Sequence, residues 1–224
     1  MLAKLKNERR LEDNYRHRGL RRKLVSEIQA KGITDENVLE AIGKVPRHLF
    51  MDSSFVQFAY RDKAFPIGKG QTISQPYTVA FQTQLLEVKK FDKVLEVGTG
   101  SGYQAAVLCE MGATVFTIER HRELYDKVRA LLPSIGYEPM FFHGDGYAGL
   151  PTYGPFDKII VTAGAPYIPE ALLEQLKVGG RLVIPVGSQH RQEMKLVIRE
   201  SENEYRTEDR GGFIFVPLVG GKSE

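Results

Sequence analysis

The chain of 224 residues has no tryptophan, one cysteine and no apolar run long enough to cross a bilayer. A single thiol, Cys109, excludes an internal disulfide. It lies on an apolar helical face, so it reads as core and not as a nucleophile. Charge of neither sign dominates: 31 Lys and Arg against 28 Asp and Glu leave +3, which demands neither nucleic acid nor a membrane surface. His17, His48, His121, His143 and His190 form no HExxH or other metal-ligand spacing, so no metal is expected. No Ser-His-Asp or Cys-His constellation is evident, and no internal repeat or low-complexity segment. No secretory leader pattern is present either, and a soluble, cytoplasmic, monomeric protein is the expectation. With 42% hydrophobic and 26% charged residues, the composition is that of an ordinary globular domain with a sizeable core.

Glycine, by contrast, is concentrated where it carries information. Val94-Leu95-Glu96-Val97 reads as a short buried strand. Gly98-Thr99-Gly100-Ser101-Gly102 then breaks it, and Tyr103 to Cys109 opens a helix. A strand, a glycine-rich turn and a helix aim backbone N–H groups at a ligand. The spacing GxGxG lacks the third glycine of the dinucleotide fingerprint GxGxxG. Glu96, two residues before the first glycine, would repel a pyrophosphate but suits a cationic ligand. Both features tilt the reading from NAD towards S-adenosylmethionine.

The remaining chain alternates in a way that predicts an α/β fold. The first 23 residues hold nine basic against three acidic side chains, read as a solvated helix or a frayed end. Leu20, Leu24, Val25 and Ile28 fall at helical spacing, and Lys31-Gly32 stops that helix. Thr34 is the expected N-cap of a second helix with Val38, Leu39, Ile42 and Val45 inward and Pro46 at its end. Residues 47–93 are less periodic and rich in aromatics, a pattern that favours a functional loop; helix resumes near 77–87, with Val79, Leu85 and Leu86 inward. Strands are predicted at 113–118, 140–143, 156–162 and 180–186, with helices at 124–132 and 169–176. Glu119 lies 21 residues after Gly98, where an acidic group holds ribose hydroxyls. Two strands at 193–200 and 212–219 suggest an antiparallel pair at the sheet edge. The organisation expected is one domain over 1–224: a helical cap (1–45), an active-site loop region (46–93) and a core with C-terminal strands (94–224).

These motifs resemble the protein-L-isoaspartate (D-aspartate) O-methyltransferase family. The stretches that carry the likeness are VPRHLF (45–50), PIGKGQTISQPY (66–77), VLEVGTGSGYQAA (94–106), HGDG (143–146) with FDKIIVTAGAPYIP (156–169), and FVPLV (215–219). The resemblance implies a Rossmann-like class I methyltransferase fold: a mostly parallel doubly wound sheet with antiparallel edge strands and N-terminal helices. It implies S-adenosyl-L-methionine as cofactor and isoaspartyl proteins and peptides as partners, with no role for nucleic acid or membrane. Gln71-Thr72-Ile73-Ser74 corresponds to the family's active-site loop, with Ser74 holding the acceptor carboxylate. Ser74 as a helix N-cap is the plainer alternative. By the same resemblance Thr72, Ile73, Ser74, Glu96, Gly98, Thr99, Gly100, Ser101 and Gly102 contact the cofactor. Arg120 is implied at the cofactor too, with Glu119 at its ribose and Asp145 with Gly146 at the adenine edge. Gln71, Pro76, Phe215, Val216 and Val219 are implied at the peptide. Three rivals stay open on the residues alone: an RNA or small-molecule methyltransferase of this fold, a nicotinamide-dependent oxidoreductase, and a non-catalytic binding module.

Overall fold

A computed structural model describes residues 13–223. Five strands run parallel: β3 (Lys93–Val97), β4 (Thr114–Glu119), β5 (Met140–His143), β6 (Phe156–Val161) and β7 (Leu176–Gly187). β8 (Gln192–Arg199) and β9 (Tyr205–Phe213) extend the sheet antiparallel, in the order β5-β4-β3-β6-β7-β8-β9. A separate hairpin pairs β1 (Phe65–Gly68) with β2 (Gln71–Ile73). The helices are α1 (Tyr15–Ala30), α2 (Glu36–Lys44), α3 (Pro76–Leu86), α4 (Tyr103–Glu110), α5 (Arg122–Ser134) and α6 (Glu170–Glu174).

The period-2 geometry of strands splits the apolar residues into two buried layers. Val94, Val115, Ile160 and Val183 join the layer under α1 to α5. Leu95, Phe116, Ile159 and Leu182 join the opposite layer with Leu172 of α6. The parallel strands therefore read as near-continuous apolar runs, because both faces are covered. Among the described residues no helix is long and apolar enough to cross a membrane.

Several boundaries differ from those expected. Asp35, not Thr34, caps α2: its carboxylate accepts from the N–H groups of Asn37 and Val38. Leu20 is 38% exposed, and Arg21 takes its place on the buried face of α1. The Arg21 guanidinium makes paired bonds to Asp13 and donates to Tyr60 Oη. Leu85 of α3 is only half-buried, while Gln82 and Thr83 are buried. Their polar groups are paired inside the protein: Gln82 Nε2 donates to Val161 O, and Thr83 Oγ1 to Val79 O. Most of 47–93 carries more structure than its aperiodic sequence suggests, with 3-10 turns at Arg47–Phe50 and Val56–Phe58 besides the hairpin.

The last strand lies at 205–213, not at 212–219. β9 is an edge strand with charged side chains outward, which discourages pairing with other chains but hides the apolar alternation. Residues 215–219 do not form a ladder strand; they cross the sheet's C-terminal edge through single bonds with Gly164.

Candidate active site

The chain order places β3 at the centre, with β4 on one side and β6 on the other. The order of connection reverses there, and ligands of open α/β sheets bind outside the strand C-termini at such a point. A cleft opens at that place. Its floor is the glycine turn, stapled to both neighbouring strands. Gly98 N–H donates to Ile118 O (2.9 Å), and Thr162 Oγ1 donates to Gly98 O (2.6 Å).

The glycines are needed for different reasons. Gly98 has φ +97°, and a Cβ there would lie 2.6 Å from Thr162 Oγ1. Gly102 has φ +83° and would meet Val128 Cγ1 at 2.6 Å, so it lets α5 pack beneath the turn.

Glu119, at the end of β4, is 5% exposed and lines the cleft. Its two oxygens accept from Gly100 N–H (2.9 Å) and His121 N–H (2.8 Å). The carboxylate thus holds the turn and keeps further lone pairs for a diol. Arg120 also lines the cleft and ties the tail down through Gly221 O.

Glu96 has a different place from the one expected. It is fully buried and does not line the cleft. Its Oε2 accepts from Thr117 Oγ1 (2.5 Å), which is bonded to Thr99 Oγ1 (2.5 Å), and Thr99 does line the cleft. The carboxyl therefore reaches the ligand space only through two hydroxyls. Burial is the main cause that pushes its pKa up from 4.5 to about 8; the Thr117 bond opposes the shift and the nearby Glu119 charge adds to it. A raised folded-state pKa means that the unfolded chain ionises first. Stability contributed by neutral Glu96 is full below about pH 4.5, declines as pH rises and is lost by about pH 8. Thermal unfolding of the wild type should show this decline between pH 5 and 8. In Glu96→Gln, which cannot ionise, the slope should be shallower.

Of the other expected residues, Gln71, Thr72 and Ser74 line one wall; Gly100, Ser101, Gly146, Val216 and Val219 also line the cleft. Ser74 is half-buried and its hydroxyl has no partner among the described residues. It does not cap α3. The Tyr77 N–H donates instead to Asp62 Oδ1 (2.8 Å), which sets the start of that helix.

Six expected residues lie outside the lining: Glu96, Gly102, Ile73, Pro76, Asp145 and Phe215. Ile73, Pro76 and Phe215 are buried; Ile73 and Phe215 join the core cluster. Each Asp145 oxygen accepts one backbone N–H, from Tyr147 (2.9 Å) and Gly221 (2.7 Å). Gly146 lines the cleft, where a Cβ would lie 2.5 Å from Val97 Cγ1.

Thr162, Gln104, Tyr103 and His121 line the cleft and were not anticipated. Only Thr162 had a sequence signal, as a hydroxyl at the C-terminal end of a predicted strand. Cys109 is half-buried and its thiol pKa is pushed up to about 12, mainly by burial, as befits a packing residue. Tertiary folding also joins what spacing kept apart: the ring centroids of His17 and His48 lie 3.8 Å apart, the planes tilted by 31°, with Asp13 beside them.

A family model described as protein-L-isoaspartate(D-aspartate) O-methyltransferase matches residues 19–223. A protein-L-isoaspartate O-methyltransferase of Christiangramia forsetii is 62% identical over 95% of this chain and all of that protein. The Flavobacterium psychrophilum enzyme of that name is 60% identical over the same shares. A solved protein-L-isoaspartate O-methyltransferase superposes with TM-score 0.81 at 29% identity, covering 89% of this chain and 66% of that one. Together with the glycine turn, Glu119 and the TISQPY loop on one cleft, these matches mean that the chain belongs to the protein-L-isoaspartate(D-aspartate) O-methyltransferase family.

Proposed function

We infer that this protein moves the methyl group of S-adenosylmethionine to the free α-carboxyl of L-isoaspartyl residues in damaged proteins and peptides. The observation that carries the reading is one cleft shared by the glycine turn, Glu119, Ser74 and the 216–219 segment. Glu119 retains lone pairs for two hydroxyls, and the bare glycines allow a ligand close to the backbone, so the residues present fit the cofactor. When bound, the cofactor supplies an electrophilic methyl group on a sulfonium.

The chain's own task is placement. A peptide carboxylate has a reference pKa near 4 and is already ionised at neutral pH, so no base is required. Ser74 would donate a hydrogen bond to one carboxylate oxygen and turn the other towards the methyl group, an orientation effect. Reaction of an anion with a cation removes charge, so walls that exclude water favour the transition state. Val216 and Val219 would form part of that wall beside the peptide. Methylation makes the carboxyl a better leaving group for closure to succinimide, whose hydrolysis returns part of the material to normal aspartate.

This chemistry predicts a pH profile. Single-turnover methyl transfer with both substrates saturating should be nearly flat from about pH 6 to 8. A tenfold rise per pH unit in the chemical step would mean that a proton is removed, and that the acceptor is a hydroxyl, amine or ring nitrogen.

A further inference from the structure

A second surface feature lies beside the catalytic loop. Arg16 and Lys23 of α1 face Arg61 and Lys63 across a groove. All four side chains are exposed, and none forms an ion pair among the described residues. The groove also holds two carboxylates, Glu27 and Asp62; Lys31 pairs with both, at 2.9 and 2.6 Å, so one net negative charge stands against the four cations. The field in the groove is therefore positive, although the whole chain carries only +3.

Asp62 connects this groove to the active site. Its side chain is 2% exposed, and it accepts from Gln75 Nε2 (2.9 Å) and Tyr77 N–H (2.8 Å), just beyond Ser74. An extended chain leaving the cleft past Ser74 would thus meet the groove. Arg16 and Lys23 are seven residues apart on one helix, about 10 Å along its axis. That matches carboxylates about three residues apart on an extended polypeptide. Nucleic acid fits less well, because the groove's one aromatic, Tyr60, is buried and offers no face for a base to stack on.

We propose that this groove binds an acidic flank of the substrate polypeptide, so that isoaspartyl sites next to aspartate or glutamate clusters are preferred. The proposal rests on the isoaspartyl reading of the cleft. Exposed ion pairs are individually weak, but several acting together lower KM on the order of tenfold.

The test uses isoaspartyl peptides of equal length: one with glutamine flanks, one with three glutamates before the isoaspartate and one with three after it. In 25 mM salt the wild type should show a KM on the order of tenfold lower for one acidic peptide, and the preference should vanish at 300 mM as screening takes hold. Replacing Arg16, Lys23, Arg61 and Lys63 with glutamine should abolish the preference and leave kinetics on the neutral peptide unchanged. A second variant, Arg61→Glu with Lys63→Glu, should instead favour a lysine-flanked peptide. Equal KM values across a methylated set would overturn the groove's role alone. Methylation of none of the peptides would overturn the function of the cleft, and the groove's role with it. Charge-dependent binding of a single-stranded RNA, with no peptide preference, would reassign the groove to nucleic acid.

Discussion

Glu119→Gln is expected to weaken S-adenosylhomocysteine binding by about 2 kcal/mol, roughly thirtyfold in Kd. Both carboxylate oxygens of Glu119 already accept backbone N–H groups, from Gly100 and His121. A glutamine has one acceptor oxygen, so its NH2 group must face one of those donors. The glycine turn then loses a tether at the point where the ligand would lie, and the ribose hydroxyls lose an anionic acceptor. Isothermal calorimetry reads the effect directly. Unchanged affinity in a folded variant would remove Glu119 from the cofactor site.

The second large effect is kinetic. Ser74→Ala should lower turnover on an isoaspartyl peptide roughly ten- to a hundredfold, the scale of one hydrogen bond to a charged group. Affinity for S-adenosylhomocysteine should stay within about twofold. The serine can be separated from a purely structural role because Asp62, not Ser74, accepts from the first turn of α3. Thermal stability should therefore hold in the variant. A loss of stability with normal turnover would instead assign Ser74 to the fold.

The parts of the molecule legible in the sequence are those whose local chemistry is self-sufficient. β5 has the predicted bounds, Met140–His143, because an apolar segment lies between clear turn residues. The glycine turn is legible because positive φ and close approach each require glycine, as Gly98 and Gly102 demonstrate. Glu119 follows from its distance along a strand–helix–strand unit. What was not legible depends on partners distant in sequence. Asp145 is tethered by the Tyr147 and Gly221 N–H groups, the second 76 residues away, a bond that no local pattern announces. Glu96 was expected to face a cation, but nothing local indicates that Thr117 stands between it and Thr99. The apolar residues of FVPLV mimic a strand; they cover the cleft edge and the core, while the charged segment before them makes the ladder. α3 gave a weak periodic signal because Gln82 and Thr83 are buried, bonded to Val161 O and Val79 O.

The most direct test of the account is methyl transfer from labelled S-adenosylmethionine to two peptides that differ only at one position, L-isoaspartate or L-aspartate. The account predicts stoichiometric labelling of the isoaspartyl peptide as a base-labile methyl ester, and a kcat/KM for the aspartyl peptide lower by several orders of magnitude. Equal labelling of both peptides, or labelling of neither while another class of acceptor is methylated, would contradict it.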